Sequence, residues 1–321
     1  MTGRRIAGLN ILVFLCLTIC FLVVAMGEGW GGDEEDFPIK PPKKYPYSYP
    51  DRTVIGSLQY HIVKDKETLL DIARKYGLGI NELQLLYASM DPWVPPKGLK
   101  VMIPAMWVLP PMRYGGIVLN IPEYRLYYFR PSEGTVQTYP VGLGDEGWET
   151  PVGIYKIQSK RENPTWYIPP SLQAKYGATT MPPGPDNPLG KYIMKFAPMY
   201  GIHGTHMPWG VGRMVSHGCI RTYPEHIAVL YPQVAIGTPV EVIYEPIKIG
   251  TLDGRVYAEI HPDIYKKIKD FNDYAVRLLE SHPLKEKVDK SRFMTAVSLQ
   301  NGMPMDVTKD GDGVIMSNVL H

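Results

Sequence analysis

Two short runs hold the residues best suited to nucleophilic chemistry. Residues 216–221 read Ser216, His217, Gly218, Cys219, Ile220 and Arg221, and residues 202–205 read Ile202, His203, Gly204 and Thr205. A thiol attacks as its thiolate, and an adjacent imidazole or positive charge favours that form. Cys219 is the natural nucleophile, because the two other cysteines, Cys16 and Cys20, lie in the apolar N-terminal stretch. A single remaining thiol in a chain that reads as exported points to a reactive or intermolecular cysteine rather than a structural one.

A cysteine nucleophile needs a base, an oxyanion hole and a substrate clamp. His203 is the base candidate, since it ends an expected strand and is followed by Gly204, which lets another backbone come close. His217 stands two residues from Cys219. On an extended chain both would point the same way, to orient the site or stabilise the thiolate. Gly218 is the residue expected where the backbone turns sharply, so the amides of His217, Gly218 and Cys219 are oxyanion-hole candidates. Arg221 can grip a carboxylate with two parallel hydrogen bonds, and Ser216 can support a histidine. The rival is a closed zinc site of His203, His206, His217 and Cys219. No carboxylate lies between Gly201 and Thr222 to orient such ligands, which argues against it. Taken singly, each residue has a bland reading as a structural histidine, an inert thiol or a surface arginine; it is their density that argues for a site.

These residues must be carried by an exported, mostly β chain. Arg4 and Arg5 precede an apolar stretch, residues 11–25, and Ala25 and Gly27 fit a cleavage after Gly27. Residues 1–27 therefore read as a signal peptide or an uncleaved membrane anchor, with the rest of the chain outside the cytoplasm. The bulky Ile19 before Cys20 argues against lipid attachment there. A net charge of +2 over 321 residues, without a basic stripe, excludes a nucleic-acid partner. Gly and Pro at 31 each, with 22 Tyr, point to short strands joined by tight turns.

The pattern divides the chain into five segments. Residues 28–57 are rich in Gly, Pro and charge and read as an extended linker. Residues 58–104 read strand, helix, helix, strand: 60–63, then 69–76 capped by Asp65 or Thr68, then 80–87 with Asn81 as cap, then 99–104. Residues 115–244 carry expected strands at 116–121, 125–129, 136–141, 153–159, 192–196, 202–203 and 240–244. One short helix is expected there, at 224–231 behind a Thr222 cap. Such a series argues for a β-sandwich or open barrel. Residues 245–321 form a C-terminal extension, with a hairpin around Asp253 and Gly254 and an amphipathic helix at 263–279. Residues 308–313 lack two acids that a calcium loop needs and read as a turn.

Residues 200–205 together with 210–221 resemble the active-site motif of the L,D-transpeptidase (YkuD-like) family, and residues 149–155 and 184–190 fit it as well. His206 stands where many members carry asparagine or serine. The unit at 58–104 resembles a LysM module, through residues 60–63, 67–73 and 101–104. The combination is similar to the periplasmic members of Gram-negative bacteria. The resemblance implies a mainly β catalytic domain and a small βααβ domain that binds glycan strands. It implies that Cys219 attacks the third residue of a peptidoglycan tetrapeptide stem while His203 handles the proton and D-alanine leaves. A second stem, a lysine of an outer-membrane lipoprotein, or water then resolves the thioester. Arg221, Tyr192, Gly184, Asn187 and Gly190 are implied to line the donor groove. No metal or organic cofactor is implied.

Competing readings are another cysteine enzyme of the wall and a wall-binding adaptor whose catalytic domain is idle. Papain-like endopeptidases place the cysteine before the histidine, the reverse of this order. Sortases place their histidine much further upstream. Intact Cys219 and His203 argue against the idle adaptor.

Overall fold

The computed structural model describes residues 41–309, so the expectation of a signal peptide or anchor lies outside the described residues. No helix among them is long and apolar enough to cross a membrane. The chain opens with β1 (Lys44–Pro46) and β2 (Val54–Gly56). A βααβ unit comes next, with β3 (Gln59–Ile62), α1 (Leu69–Lys75), α2 (Ile80–Leu86) and β4 (Lys100–Ile103), and then β5 (Met106–Val108). The main sheet is built from β6 (Gly116–Asn120), β7 (Arg125–Arg130), β8 (Thr135–Gly144), β9 (Gly153–Lys156) and β10 (Ser159–Glu162). A small hairpin of β11 (Trp166–Tyr167) and β12 (Thr180–Met181) encloses α3 (Pro170–Tyr176). The sheet resumes with β13 (Tyr192–Lys195), β14 (Gly201–His203), β15 (Met214–Ser216), β16 (Ile220–Thr222) and, after α4 (Pro224–Leu230), β17 (Pro239–Ile243). The C-terminal part holds β18 (Ile247–Leu252), β19 (Arg255–Ile260), α5 (Phe271–Ser281), α6 (Lys290–Leu299) and β20 (Met305–Asp306).

The main sheet runs β10-β13-β14-β16-β8-β7-β6-β17-β9. Strand β8 is its spine. Its first half pairs with β7, residues 141–142 pair with β16, and residues 143–144 pair with β15. One long strand thus ties the structural half of the sheet to the half that carries the histidine and cysteine. The inner face is a core of Leu119, Leu126, Tyr139, Met194, Ile202, Ile220, Ile227 and Val240.

Of the two cap candidates for α1, Thr68 is the one used: its hydroxyl accepts from Asp71 N (3.1 Å), and the Asp71 carboxylate accepts from Thr68 N (2.9 Å). Several other local expectations are corrected. Asn81 lies inside α2, whose cap is Gly79, with Gly79 N donating to the Glu82 carboxylate (2.8 Å). Thr222 does not cap α4, which starts with Pro224 at its first position behind Tyr223. Helix α3 is an addition to the one short helix expected in the catalytic body. Residues 263–269 are turns rather than helix, because Asp263 accepts from the backbone N–H of Lys267 (3.0 Å) and Ile268 (2.6 Å) and holds the chain in a loop.

The expected spacer is also built in over its second half. Strand β1 pairs with β8, and β2 pairs with β5. The aromatic side chains explain this, since Tyr45 and Tyr47 pack edge-on against Trp107 and Phe129.

The βααβ unit shares one core with the main sheet. Leu69, Ile72 and Leu83 of α1 and α2 belong to the same cluster as Tyr127, Phe129 and Val136 of β7 and β8. At its centre the buried Glu82 carboxylate takes Arg125 Nη2 at 2.5 Å and Trp107 Nε1 at 3.0 Å. Arg74 and Glu225 add a two-point pair, with both bonds at 2.9 Å. The C-terminal hairpin docks through a second buried network. Lys248 Nζ meets Glu123 (2.7 Å), Glu259 (3.1 Å) and the Val108 carbonyl (2.6 Å). His261 Nε2 bonds to Glu259 at 2.7 Å. Buried charges paired this closely tolerate little relative movement of the parts that carry them.

Candidate active site

Parallel pairing of β14 with β16 sets Ile202 opposite Ile220 and His203 opposite Arg221. Ile202 and Ile220 enter the core, so His203 and Arg221 project together from the other face. Antiparallel β13 adds Ile193 beside His203, and Lys195 beside Gly201, to that face. Alternation places Cys219, one residue before β16, on the same side as Arg221. Short strands of strict pattern therefore bring a thiol, an imidazole, a guanidinium and an ammonium to one surface.

A sharp turn presents the sulfur. Gly218 has φ +93°, and a Cβ there would lie 2.4 Å from Cε1 of Tyr200, so only glycine fits. The turn is clasped by Ser216, whose Oγ donates to the Cys219 carbonyl (2.6 Å), and by Thr150, whose Oγ1 donates to the Gly218 carbonyl (3.1 Å). Thr150 Oγ1 in turn accepts from Gly144 N (3.1 Å), and Asp145 N donates to the Ser216 carbonyl (2.9 Å). The end of β8 and the loop after it thus hold both sides of the turn. Ser216 supports the cysteine backbone rather than a histidine, which corrects the sequence expectation.

His203 is 3% exposed, and its Nδ1 lies 2.7 Å from the Gly204 carbonyl. Nδ1 must donate there, which leaves Nε2 as the basic nitrogen. Burial, helped by the Arg221 charge, lowers its pKa to about 4, so the ring is neutral near pH 7. The Cys219 thiol is half-buried and bonds to the Met199 carbonyl (3.5 Å). Burial raises its pKa, against the lowering effects of the Gly201 backbone bond, Arg221 and Lys195. Burial thus opposes the ionised sulfur that the sequence reading expects, and works against the nearby charges.

His217 is exposed and packs edge-on against Trp148, with ring centroids 4.6 Å apart. Gly218, at φ +93°, interrupts the extended path on which the two side chains were expected to align. Among the described residues Arg221 makes no ion pair to a carboxylate, and its buried Nε has no hydrogen-bond partner there. His206 lies near it, with Nδ1 also buried and unpartnered and its pKa lowered by burial and then by Arg221. Among the described residues, the one His, Cys, Asp and Glu cluster tight enough for a metal is Glu123, Glu259 and His261, in the network that Lys248 fills. The four zinc candidates do not form such a cluster.

The implied groove residues divide. Tyr192 lies on the core side with Met194 and packs at a tilt against Tyr231 (ring centroids 4.6 Å apart), on the opposite face of the sheet from His203. Asn187 is 1% exposed, and its Nδ2 donates to the carbonyls of Pro164 (2.9 Å) and Pro182 (3.0 Å), so it pins the loop internally. Gly190, with φ +62°, packs against the Gly204–Thr205 backbone next to His203. Gly184 is exposed at the loop tip. The sequence reading missed the roles of Met199, Tyr200, Lys195, Trp148 and Thr150. Thr150 and Tyr200 carried a signal, through their places in the 149–155 and 200–205 stretches.

The L,D-transpeptidase catalytic domain model (YkuD) matches residues 115–242, which contain Cys219, His203, Arg221 and the residues that hold the cysteine turn. The chain is 34% identical to the probable L,D-transpeptidase YcfS of Escherichia coli, over 80% of this chain and 85% of that one. It is 32% identical to the probable L,D-transpeptidase ErfK/SrfK of the same organism, over 82% and 90%. The chain belongs to the L,D-transpeptidase family with a YkuD catalytic domain. A solved L,D-transpeptidase catalytic domain from E. faecium is 25% identical over 41% of this chain and 98% of that domain, with a TM-score of 0.33. The YkuD region holds the thiol, base and arginine face. The relatives' matches run beyond it, into the flanking parts that dock on its sheet.

Proposed function

We propose that the protein is a cysteine-dependent L,D-transpeptidase of the cell envelope that acts on peptidoglycan tetrapeptide stems. The observation that carries this reading is the shared face of Cys219, His203 and Arg221, with no ion pair from Arg221 to a carboxylate among the described residues. A guanidinium in a partly desolvated site is suited to an anionic substrate.

In the reaction, His203 Nε2 takes the thiol proton as sulfur attacks the carbonyl of the third stem residue. Attack breaks the bond between Cys219 and the Met199 carbonyl. The oxyanion forms against the backbone amides of His217, Gly218 and Cys219. The carbon–nitrogen bond then breaks, the imidazolium proton passes to the departing D-alanine amine, and a thioester remains on Cys219. An acceptor amine adds to the thioester and gives its proton to His203, and the thiol is expelled. A second stem as acceptor yields a 3→3 cross-link, a lipoprotein lysine yields an anchored lipoprotein, and water yields a carboxypeptidase product. The low pKa of His203 keeps it unprotonated for the first step. The βααβ unit is proposed to hold glycan strands as a LysM-like module. Its exposed Tyr60, Ile62, Trp93 and Val94 offer apolar surface for sugar rings.

Mass spectrometry of purified tetrapeptide stems incubated with the protein tests this reading. A thioester adduct and released D-alanine, both lost in Cys219→Ala, are expected. D-alanine release that persists in Cys219→Ala removes the thiol from the mechanism.

A further inference from the structure

The C-terminal part lies outside the matched YkuD region, yet one of its side chains reaches the support of the cysteine turn. The Tyr265 hydroxyl donates to the Gly144 carbonyl (2.7 Å) and accepts from Thr150 N (3.4 Å). These two residues bracket the loop 145–149. From them the path to the nucleophile is short. Gly144 N and the Gly218 carbonyl both bond to Thr150 Oγ1. A Cβ on Gly144 would come within 2.9 Å of Gly218 Cα and 2.8 Å of Thr150 N, so the three backbones are in closest packing.

Tyr265 is itself held. Its backbone N donates to the Tyr244 hydroxyl (2.9 Å), which donates to Asp263 (2.5 Å), and the two tyrosine rings stack 6.0 Å apart at 22°. The turn that delivers the hydroxyl is therefore held by its own hydrogen bonds and ring contact.

We propose that Tyr265 is a positioning residue for the Cys219 turn: through Gly144 and Thr150 it fixes the backbone amides that receive the oxyanion. This deepens the thiol reading above and rests on it for the turnover measurement. Removing the hydroxyl frees the base of the 145–149 loop. The turn then loses the alignment that matters most in the transition state, while substrate binding through Arg221 is spared.

The test uses the full chain with Tyr265→Phe, Thr150→Val and the double substitution; Tyr265→Phe keeps the stacked ring. Turnover of a tetrapeptide stem, the alkylation rate of Cys219 by iodoacetamide across pH, and the thermal midpoint are measured on each. Tyr265→Phe is expected to lower kcat about tenfold with KM within about twofold, as positioning losses do. The double substitution is expected to be little worse than the poorer single one, since both act on one path. The alkylation profile is expected to move in both single variants. Wild-type kcat in Tyr265→Phe overturns the proposal, as do single losses that multiply in the double variant. Wild-type protein that releases no D-alanine sinks the proposed function instead. The alkylation profile then decides the role of Tyr265, and an unmoved profile in Tyr265→Phe rejects it.

Discussion

Glu82 of the βααβ unit and Arg125 of the main sheet meet at 2.5 Å, and both are buried. The pair lies where the two parts share a core, so the small unit is a wall of the catalytic domain. Breaking a buried pair from one side costs about 3–5 kcal/mol, because the remaining charge is stranded. Glu82→Ala is expected to lower the thermal midpoint sharply. Deletion of residues 58–104 is expected to leave an insoluble or unfolded remainder rather than an active domain without glycan affinity. Calorimetry and solubility of the two variants check this.

The acid–base state of the site sets the pH dependence. His203 is neutral above about pH 4, and the Cys219 thiol titrates above its ordinary range. Iodoacetamide alkylation of Cys219 is expected to rise about tenfold per pH unit through neutrality, following the thiolate fraction. A plateau already reached at pH 6 means a preformed thiolate–imidazolium pair, contrary to this geometry.

Gly218→Ala puts a methyl group into the Tyr200 ring and forces alanine to φ +93°. Left-handed strain of this kind costs about 1–3 kcal/mol. The cysteine turn is expected to shift, with D-alanine release reduced at least about a hundredfold and a much smaller change in thermal midpoint. Steady-state kinetics alongside calorimetry separates the two effects.

Arg221→Lys keeps the charge and loses the planar fork. If the arginine holds the substrate carboxylate, KM is expected to rise about tenfold with kcat less affected, and Arg221→Met is expected to do worse. A KM unchanged in both variants removes Arg221 from the clamp.

Acid is expected to destabilise the fold. The pKa values of His203 and His226 are both lowered to about 4, mainly by burial. The unfolded chain therefore binds protons that the folded one refuses, and stability present above about pH 6.5 is lost as pH falls toward 4. His226 packs between Tyr139 and Tyr223, away from the catalytic face. His226→Gln is expected to flatten part of this slope in melting experiments from pH 7 to 4.

The chemistry was legible in the chain because it is local. Residues 216–221 hold the candidate nucleophile and the arginine two positions apart, residues 202–205 hold the candidate base sixteen positions before the thiol, and the strands that carry them have patterns that read directly. The sequence also determined the order strand, helix, helix, strand at 58–104, through the Thr68 cap and the apolar spacing of α1. Tertiary structure decided what depends on partners distant in the chain. It turned Tyr192 away, buried Asn187 inside its own loop, sent His217 to Trp148 and brought Thr150 and Tyr265 to the cysteine turn. It also set the direction in which the pKa values of Cys219 and His203 move. A pKa depends on burial and on charges that fold into place, such as Lys195 and Arg221, and residue spacing along the chain carries no measure of either.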